Sequence, residues 1–256
     1  MKAKKSYGQH FLTNEELSSN IADALVLTHT YDKVLEIGPG KGMLTKYLLE
    51  KDYELIVVEA DRDMIHYLQQ HYSQLSGQII SNDFLKVDLK LFFKEQAFGL
   101  IGNFPYNISS QILFKMLEYK SQIPEIVGMF QKEVAQRVVS GPGSKVYGVI
   151  SVLIQAYYDG EYLFDVDRLN FSPPPKVQSA VIRLTRKENQ NLGCEYALFR
   201  RVVKQAFSQR RKMLRNTMKA FISGDPLLED DFFKQRPEKL SVEDFVQLTL
   251  WIKERI

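Results

Sequence analysis

Through roughly the first 185 residues, short aliphatic and β-branched runs alternate with stretches whose apolar positions recur every three or four residues. The short runs predict strands at Lys33–Ile37, Glu54–Glu59, Gln78–Asn82, Leu100–Gly102 and Ile126–Phe130. Helical stretches lie between them, such as Gly42–Glu50, Arg62–Tyr72 and Ser109–Tyr119. Such alternation is the rhythm of a mostly parallel sheet covered by helices. Two later strands, near Tyr162–Val166 and Gln178–Leu184, have no helix-length segment between them and read as an antiparallel pair at the sheet edge. The prolines of Ser172-Pro173-Pro174-Pro175-Lys176 fix φ and favour an extended loop there. The polar segment Arg186–Glu195 is the best linker, and beyond it the pattern is helical to the end. The expected fold class is therefore α/β: a seven-stranded, mostly parallel sheet in residues 1–188 and a small all-helical domain in residues 189–256.

A chain of 256 residues with 45% hydrophobic and 25% charged content has an ordinary globular composition, which excludes disordered and fibrous classes. Its longest uncharged stretches are broken by Ser, Gln, Gly and Tyr, so none approaches the ~20 apolar residues of a membrane span. Met1 to Leu12 carries Lys2, Lys4 and Lys5 with no apolar run after them, which argues against a secretory signal. A lone Cys194 cannot form an internal disulfide, so a reducing cytoplasm is the expected compartment; separately, a monomer is expected. The net charge of +3 conceals a separation: from Arg168 to Lys219 there are 13 Lys/Arg against only Glu188 and Glu195. A basic block in an otherwise acidic chain is the footprint of a polyanion partner, because each neutralised phosphate releases condensed counterions.

The first chemical signal is Glu36-Ile37-Gly38-Pro39-Gly40-Lys41-Gly42, directly after a strand and before a helix. Alternate glycines let the backbone turn sharply and approach a ligand, and free N–H groups are expected at the start of the helix near Gly42. A carboxylate at Glu36 would repel a pyrophosphate but suits a cationic amine or sulfonium. Glu59 ends the second strand, where an acid accepts ribose hydroxyls. Asp83 follows the third, placed to accept from an adenine amino group while Phe84 covers the ring. Three acids at the carboxyl ends of successive strands describe a pocket for S-adenosylmethionine.

Asn103-Phe104-Pro105-Tyr106 ends the fourth strand. An exocyclic adenine amine is a poor nucleophile, because its lone pair is delocalised into the ring. The Asn103 side-chain oxygen and the Phe104 carbonyl are placed to accept its two hydrogens and favour a pyramidal nitrogen, with Pro105 stiffening the turn and Tyr106 stacking on the base. A base in a helix cannot reach such a site and must be flipped out.

These residues, with Gly8-Gln9-His10-Phe11-Leu12, Phe171-Ser172-Pro173-Pro174-Pro175-Lys176-Val177-Gln178-Ser179 and Phe207-Ser208-Gln209-Arg210-Arg211-Lys212-Met213-Leu214-Arg215-Asn216, carry a resemblance over nearly the whole chain. The sequence resembles the ribosomal RNA adenine dimethyltransferases, Rossmann-like class I enzymes that move two methyl groups from S-adenosylmethionine to adenosine N6. The resemblance implies that His10, Leu12, Gly38, Glu59, Asp83 and Asn103 meet the cofactor, that Gln9, Phe11 and Leu12 belong to a segment folding over it, and that Tyr106 and Phe171 hold the target adenine; Glu36, Gly40 and Phe84 join the cofactor set on their own chemistry. His10 stands where many members carry Asn, and Phe104 where many carry Leu. The proline-rich and basic motifs look most like the small-subunit branch, which modifies two adjacent adenosines in the 3′-terminal hairpin loop of 16S rRNA in a pre-assembled subunit. The large-subunit resistance branch and a non-catalytic assembly factor are the alternatives.

Between Tyr196 and Gly224 there are eight basic residues and no acid. On one continuous helix, Arg201, Lys204, Arg211, Lys212, Arg215 and Lys219 would form a stripe that positions RNA by its phosphates, and Arg210 is expected to contact RNA as well. Ser208 could instead cap a second helix, which would break the stripe but keep its charge. His29, His66 and His71 lack metal-ligand spacing, so no metal is expected. Trp251 follows the helical spacing of a core position.

Overall fold

A computed structural model describes Lys4 and residues 8–256; Lys2 and Lys5 lie outside the described residues. In chain order the first elements are β1 (Phe11–Leu12), α1 (Glu15–Ala22), β2 (Lys33–Ile37), α2 (Thr45–Leu48), β3 (Glu54–Glu59), α3 (Arg62–His71), β4 (Ile79–Ser81) and α4 (Lys90–Phe93). They are followed by β5 (Gly99–Asn103), α5 (Ser109–Glu118), β6 (Glu125–Gln131), α6 (Lys132–Val139), α7 (Val149–Gln155), β7 (Tyr158–Val166), β8 (Phe171–Ser172) and β9 (Ser179–Arg186). Helices α8 (Tyr196–Phe207), α9 (Leu214–Ile222) and α10 (Val242–Lys253) complete the chain.

Seven strands form one sheet in the order β4-β3-β2-β5-β6-β9-β7. The pairs from β4 to β6 are parallel, and β9 runs antiparallel to β6 from Glu125 opposite Thr185 to Gln131 opposite Ser179. A parallel sheet covered on both faces needs strands without polar alternation, and Val34, Leu35, Val57, Leu100, Ile101 and Val127 are all fully buried. Truncating Leu35, Leu100 or Ile101 to Ala costs about 2–5 kcal/mol, through lost transfer energy and the cavity left behind. The two later strands expected thus lie side by side at one edge, the last being β7, which starts four residues earlier than its sequence pattern suggests. The small sheet of β1 on β8, pairing Phe11 with Ser172 and Leu12 with Phe171, was not expected. Two residues are too short for a period to register.

Three expectations need correction. The helix expected over Gly42–Glu50 is confined to α2, because tight turns continue through Gly42, whose N–H donates to Pro39. The single basic helix is two helices: α8 ends at Ser208, whose hydroxyl turns back to the Gln205 carbonyl at 2.7 Å, and α9 starts only at Leu214. Ser208 closes the first helix and does not cap the second. The division of the chain is also discontinuous. One compact unit holds residues 1–135 and 160–186, and the other holds 136–159 with 187–256. The second unit takes in α7, whose Ile150, Val152, Leu153 and Ile154 are buried and which packs on α8. Around α8, Phe207 meets the rings of Tyr147 at 6.2 Å and Phe245 at 5.8 Å. Trp251 is half-buried, edge-on to Phe232 at 5.0 Å.

Candidate active site

The chain leaves β2 for β3 and β4 on one side and returns to β5 on the other. At such a reversal the following connections depart in opposite directions and leave a crevice beyond the carboxyl ends of the strands. A cavity of about 1330 Å³ lies there, lined by the ends of all four strands through Glu36, Glu59, Ser81 and Asn103.

Its floor is the glycine turn. Gly40 and Gly42 have φ of +56° and +80°, conformations that side-chain-bearing residues rarely adopt. At Gly42 a Cβ would also lie 2.4 Å from the Tyr72 ring, whose hydroxyl donates to the Gly42 carbonyl at 3.0 Å. The Gly40 N–H is already directed at Glu59 Oε2 at 3.2 Å, so it is not one of the free donors expected of this turn. Glu59 Oε1 accepts from the N–H groups of Ala60 and Asp61, both at 2.9 Å. Burial raises the Glu59 carboxyl above its ordinary range, while these main-chain donors oppose the rise. Three donors leave a carboxylate with acceptor capacity for a ligand hydroxyl.

Glu36 lies deeper, only 1% exposed, and accepts from Thr45 Oγ1 at 2.7 Å. Burial pushes its pKa up to about 8, with Thr45 opposing and the charge of Glu59 adding. Burial thus favours the neutral, hydrogen-bonding form of Glu36 over the charge expected at this position. Asp83 caps the 3₁₀ turn Phe84–Lys86 by accepting from Leu85 N–H at 3.0 Å, leaving Oδ2 as its second acceptor; the Phe84 ring is buried beside it.

The N-terminal segment lines one wall. Lys4 Nζ bonds Asp61 and Asp63, each at 2.7 Å, and Gln9 Nε2 donates to the other oxygen of Asp61 at 2.9 Å. The Phe11 ring abuts Gly40, with Lys41 Nζ 5.1 Å from its centroid. His10 Nδ1 meets the Pro173 carbonyl at 2.8 Å, and the imidazole stacks on Tyr106 with centroids 5.6 Å apart. Asn103 Nδ2 donates to the His10 carbonyl at 3.0 Å. Phe104 is buried edge-on to Phe130 at 5.0 Å, and the Tyr106 hydroxyl is bonded to Ser179 Oγ.

Gln9, His10, Phe11, Leu12, Glu36, Gly38, Gly40, Glu59, Asp83, Phe84, Asn103, Phe104, Pro105 and Tyr106 thus line one cavity. Phe171 is the exception: it pairs with Leu12 and is only 3% exposed, and its neighbours Ser172 and Pro173 line the cavity in its place.

The family described as ribosomal RNA adenine dimethylase matches residues 1–254. The chain belongs to that family. A Flavobacterium johnsoniae protein named ribosomal RNA small subunit methyltransferase A is 55% identical over 249 residues, 97% of this chain and 95% of the relative. A Parabacteroides distasonis protein of the same name is 54% identical over 251 residues, 98% and 94% of the two chains. A solved dimethyladenosine transferase from Plasmodium falciparum aligns with a TM-score of 0.81 at 25% identity, over 96% of this chain and 98% of its own. The 23S rRNA methyltransferase ErmE shares the fold, with a TM-score of 0.69 at 23% identity over 95% and 99% of the two chains. The protein is an S-adenosylmethionine-dependent methyltransferase of ribosomal RNA adenine.

The cavity suits that cofactor. It offers a carboxylate with spare acceptor capacity at Glu59, a second acceptor at Asp83, aromatic surface from Phe11 and Phe84, and a backbone turn that a Cβ would fill. Sequence reading gave no role to Thr45, Tyr72, Ser179 and Lys4, because each acts through a side-chain or main-chain partner that local spacing does not show.

The expected RNA-contacting residues all lie in the second unit. Lys204, Arg211 and Lys212 are exposed; Arg201 lies over the Phe221 ring at 5.5 Å; Arg215 is 3.9 Å from Glu229. Arg210 is half-buried and donates to the Ser144 carbonyl at 3.2 Å, so part of its hydrogen-bonding capacity serves the fold.

Proposed function

We propose that this enzyme dimethylates N6 of two adjacent adenosines in the 3′-terminal hairpin loop of small-subunit ribosomal RNA, acting as a cytoplasmic monomer on a pre-assembled subunit. In this reading residues 1–135 with 160–186 carry the chemistry, and the second unit holds RNA. Identity above 50% to proteins named small subunit methyltransferase A supports the choice of RNA.

The observation that carries the chemistry is the Asn103 amide. With its nitrogen committed to His10, its oxygen is the end left to accept from an adenine amine. S-adenosylmethionine, when bound, supplies an electrophilic methyl group on a sulfonium. Glu59 accepts from its ribose, Asp83 from its adenine amine, and Phe11 and Phe84 cover its apolar surfaces. Asn103 Oδ1 and the Phe104 carbonyl draw on the N–H bonds of the target amine, exposing its lone pair, while Tyr106 stacks on the base and Pro105 keeps the turn rigid. The nitrogen loses its proton to solvent after alkylation, when it is cationic, so no dedicated base is required. Positioning and fixed dipoles do the work.

Transfer of labelled methyl to undermethylated small subunits and to protein-free large-subunit RNA, run in parallel, tests this reading. Label in dimethyladenosine of the small subunit is expected. Label confined to large-subunit RNA would move the enzyme to the other branch, and binding without label in either would leave an assembly factor.

A further inference from the structure

Lys115 lies on α5, only 8% exposed, and pairs with no carboxylate among the described residues. Its ammonium instead donates to two main-chain carbonyls, those of Phe84 at 2.6 Å and of Val87, and sits 5.1 Å from the centroid of the Phe84 ring. A buried ammonium is costly unless its donors are satisfied, so an aliphatic residue would serve packing alone at less cost. What the ammonium adds is a grip on one place. The turn it grips is a single 3₁₀ turn, held internally by Lys86 N–H to the Asp83 carbonyl at 2.9 Å and Val87 N–H to Phe84 at 3.3 Å. So short a turn does not define its own position. It carries Asp83 and Phe84 on the cavity wall, whereas α5 is a ten-residue helix whose buried face anchors Lys115 firmly.

We propose that Lys115 is a positioning residue for cofactor recognition: by clamping the Phe84 and Val87 carbonyls it holds Asp83 at the register that distinguishes an adenine amino group from a 6-oxo group. The inference rests on the reading of Asp83 and Phe84 as the adenine subsite. A hydrogen bond to an amino group that becomes a clash of two acceptors when the group is oxo gives discrimination on the order of tenfold or more.

Calorimetric binding of S-adenosylhomocysteine and S-inosylhomocysteine to the full chain tests it, with Lys115→Met, Lys115→Arg and Asp83→Ala alongside the wild type. The wild type should favour the adenine ligand by about tenfold or more. Asp83→Ala should bring the ratio near one, and Lys115→Met should do the same by weakening the adenine ligand while moving the hypoxanthine ligand about twofold or less. Lys115→Arg, which keeps two donors, should restore most of the ratio. If Asp83→Ala leaves the ratio intact, the adenine-subsite reading fails. If Asp83→Ala collapses the ratio while Lys115→Met leaves it intact, or weakens both ligands equally, Lys115 has no such role. Should Lys115→Met not fold, Lys115→Gln reads the same ratio.

Discussion

Asn103 donates through Nδ2 to the main-chain carbonyl of His10 at 3.0 Å, across 93 positions of sequence. That bond decides which end of the amide is which. It also makes the N-terminal segment part of the machinery that orients the acceptor for the target amine. Asn103→Ala is expected to lower kcat by roughly 10²–10³ or more, as loss of a preorganised polar group at a reacting centre does, while the cofactor Kd changes little. Single-turnover transfer and calorimetry separate the two. Equal loss of both would mean that Asn103 serves the cofactor instead.

Glu36 sets a pH dependence of stability. In the folded chain its carboxyl holds a proton up to about pH 8, against the ordinary 4.5. Below pH 4.5 both folded and unfolded states are protonated, and the contribution is fully present. Above that the unfolded chain ionises first, so stability falls by about 1.4 kcal/mol per pH unit until the folded group ionises as well. Glu36→Gln keeps an acceptor for Thr45 and removes this slope. The cofactor-free variant should match the wild type near pH 4.5 and exceed it by roughly 2–5 kcal/mol at pH 8, read as urea midpoints at the two pH values. A constant difference would show that Glu36 is ionised throughout.

Asp61 holds the N-terminal segment. Burial alone would raise its pKa, but bonds from Lys4, Gln9 and the Asp63 N–H outweigh it and hold the carboxyl below its usual range. Asp61→Ala removes the α3 cap, worth about 1 kcal/mol, and both tethers. The expected result is a severalfold higher KM for S-adenosylmethionine than in Asp63→Ala, which removes only the second ion pair of Lys4. Matching KM values in the two variants would show that the tethers do not shape the cavity.

The basic residues of the second unit are not equivalent. Arg211→Glu with Arg215→Glu should weaken RNA binding and reduce the slope of log K against log salt by about one for each phosphate no longer neutralised. Arg210→Ala should act mainly on stability, because its guanidinium already serves the Ser144 carbonyl. Filter binding across salt concentrations, with melting of the free proteins, checks both. A larger salt effect from Arg210 than from the Arg211 and Arg215 pair would reverse the assignment.

How much of this was legible beforehand differs by element. Strands β2, β3, β5 and β6 could be read almost to the residue, because strands buried on both faces must be continuously apolar and are bounded by polar turns. Glu59 and Asn103 could be placed at one edge because each ends such a run, and Asp83 because it follows β4 by two residues; parallel strands bring these ends together. Local pattern failed where a turn replaced a helix, as at Gly42; at Ser208 it offered the break into two helices but not the role of Ser208, which ends the first helix.

The sequence by itself determined the strand order's raw material, the acid at each strand end, the Asn103–Tyr106 turn and the position of the basic block, since these depend on short-range periodicity and residue chemistry. Only the tertiary structure decided that burial raises the Glu36 carboxyl, that Phe171 is buried where its strand pairs with Leu12, that Arg210 is partly spent on Ser144, and that residues 136–159 join the helical unit. Each of these follows from desolvation or from a partner far away in the chain, and neither leaves a trace in the spacing of neighbouring residues.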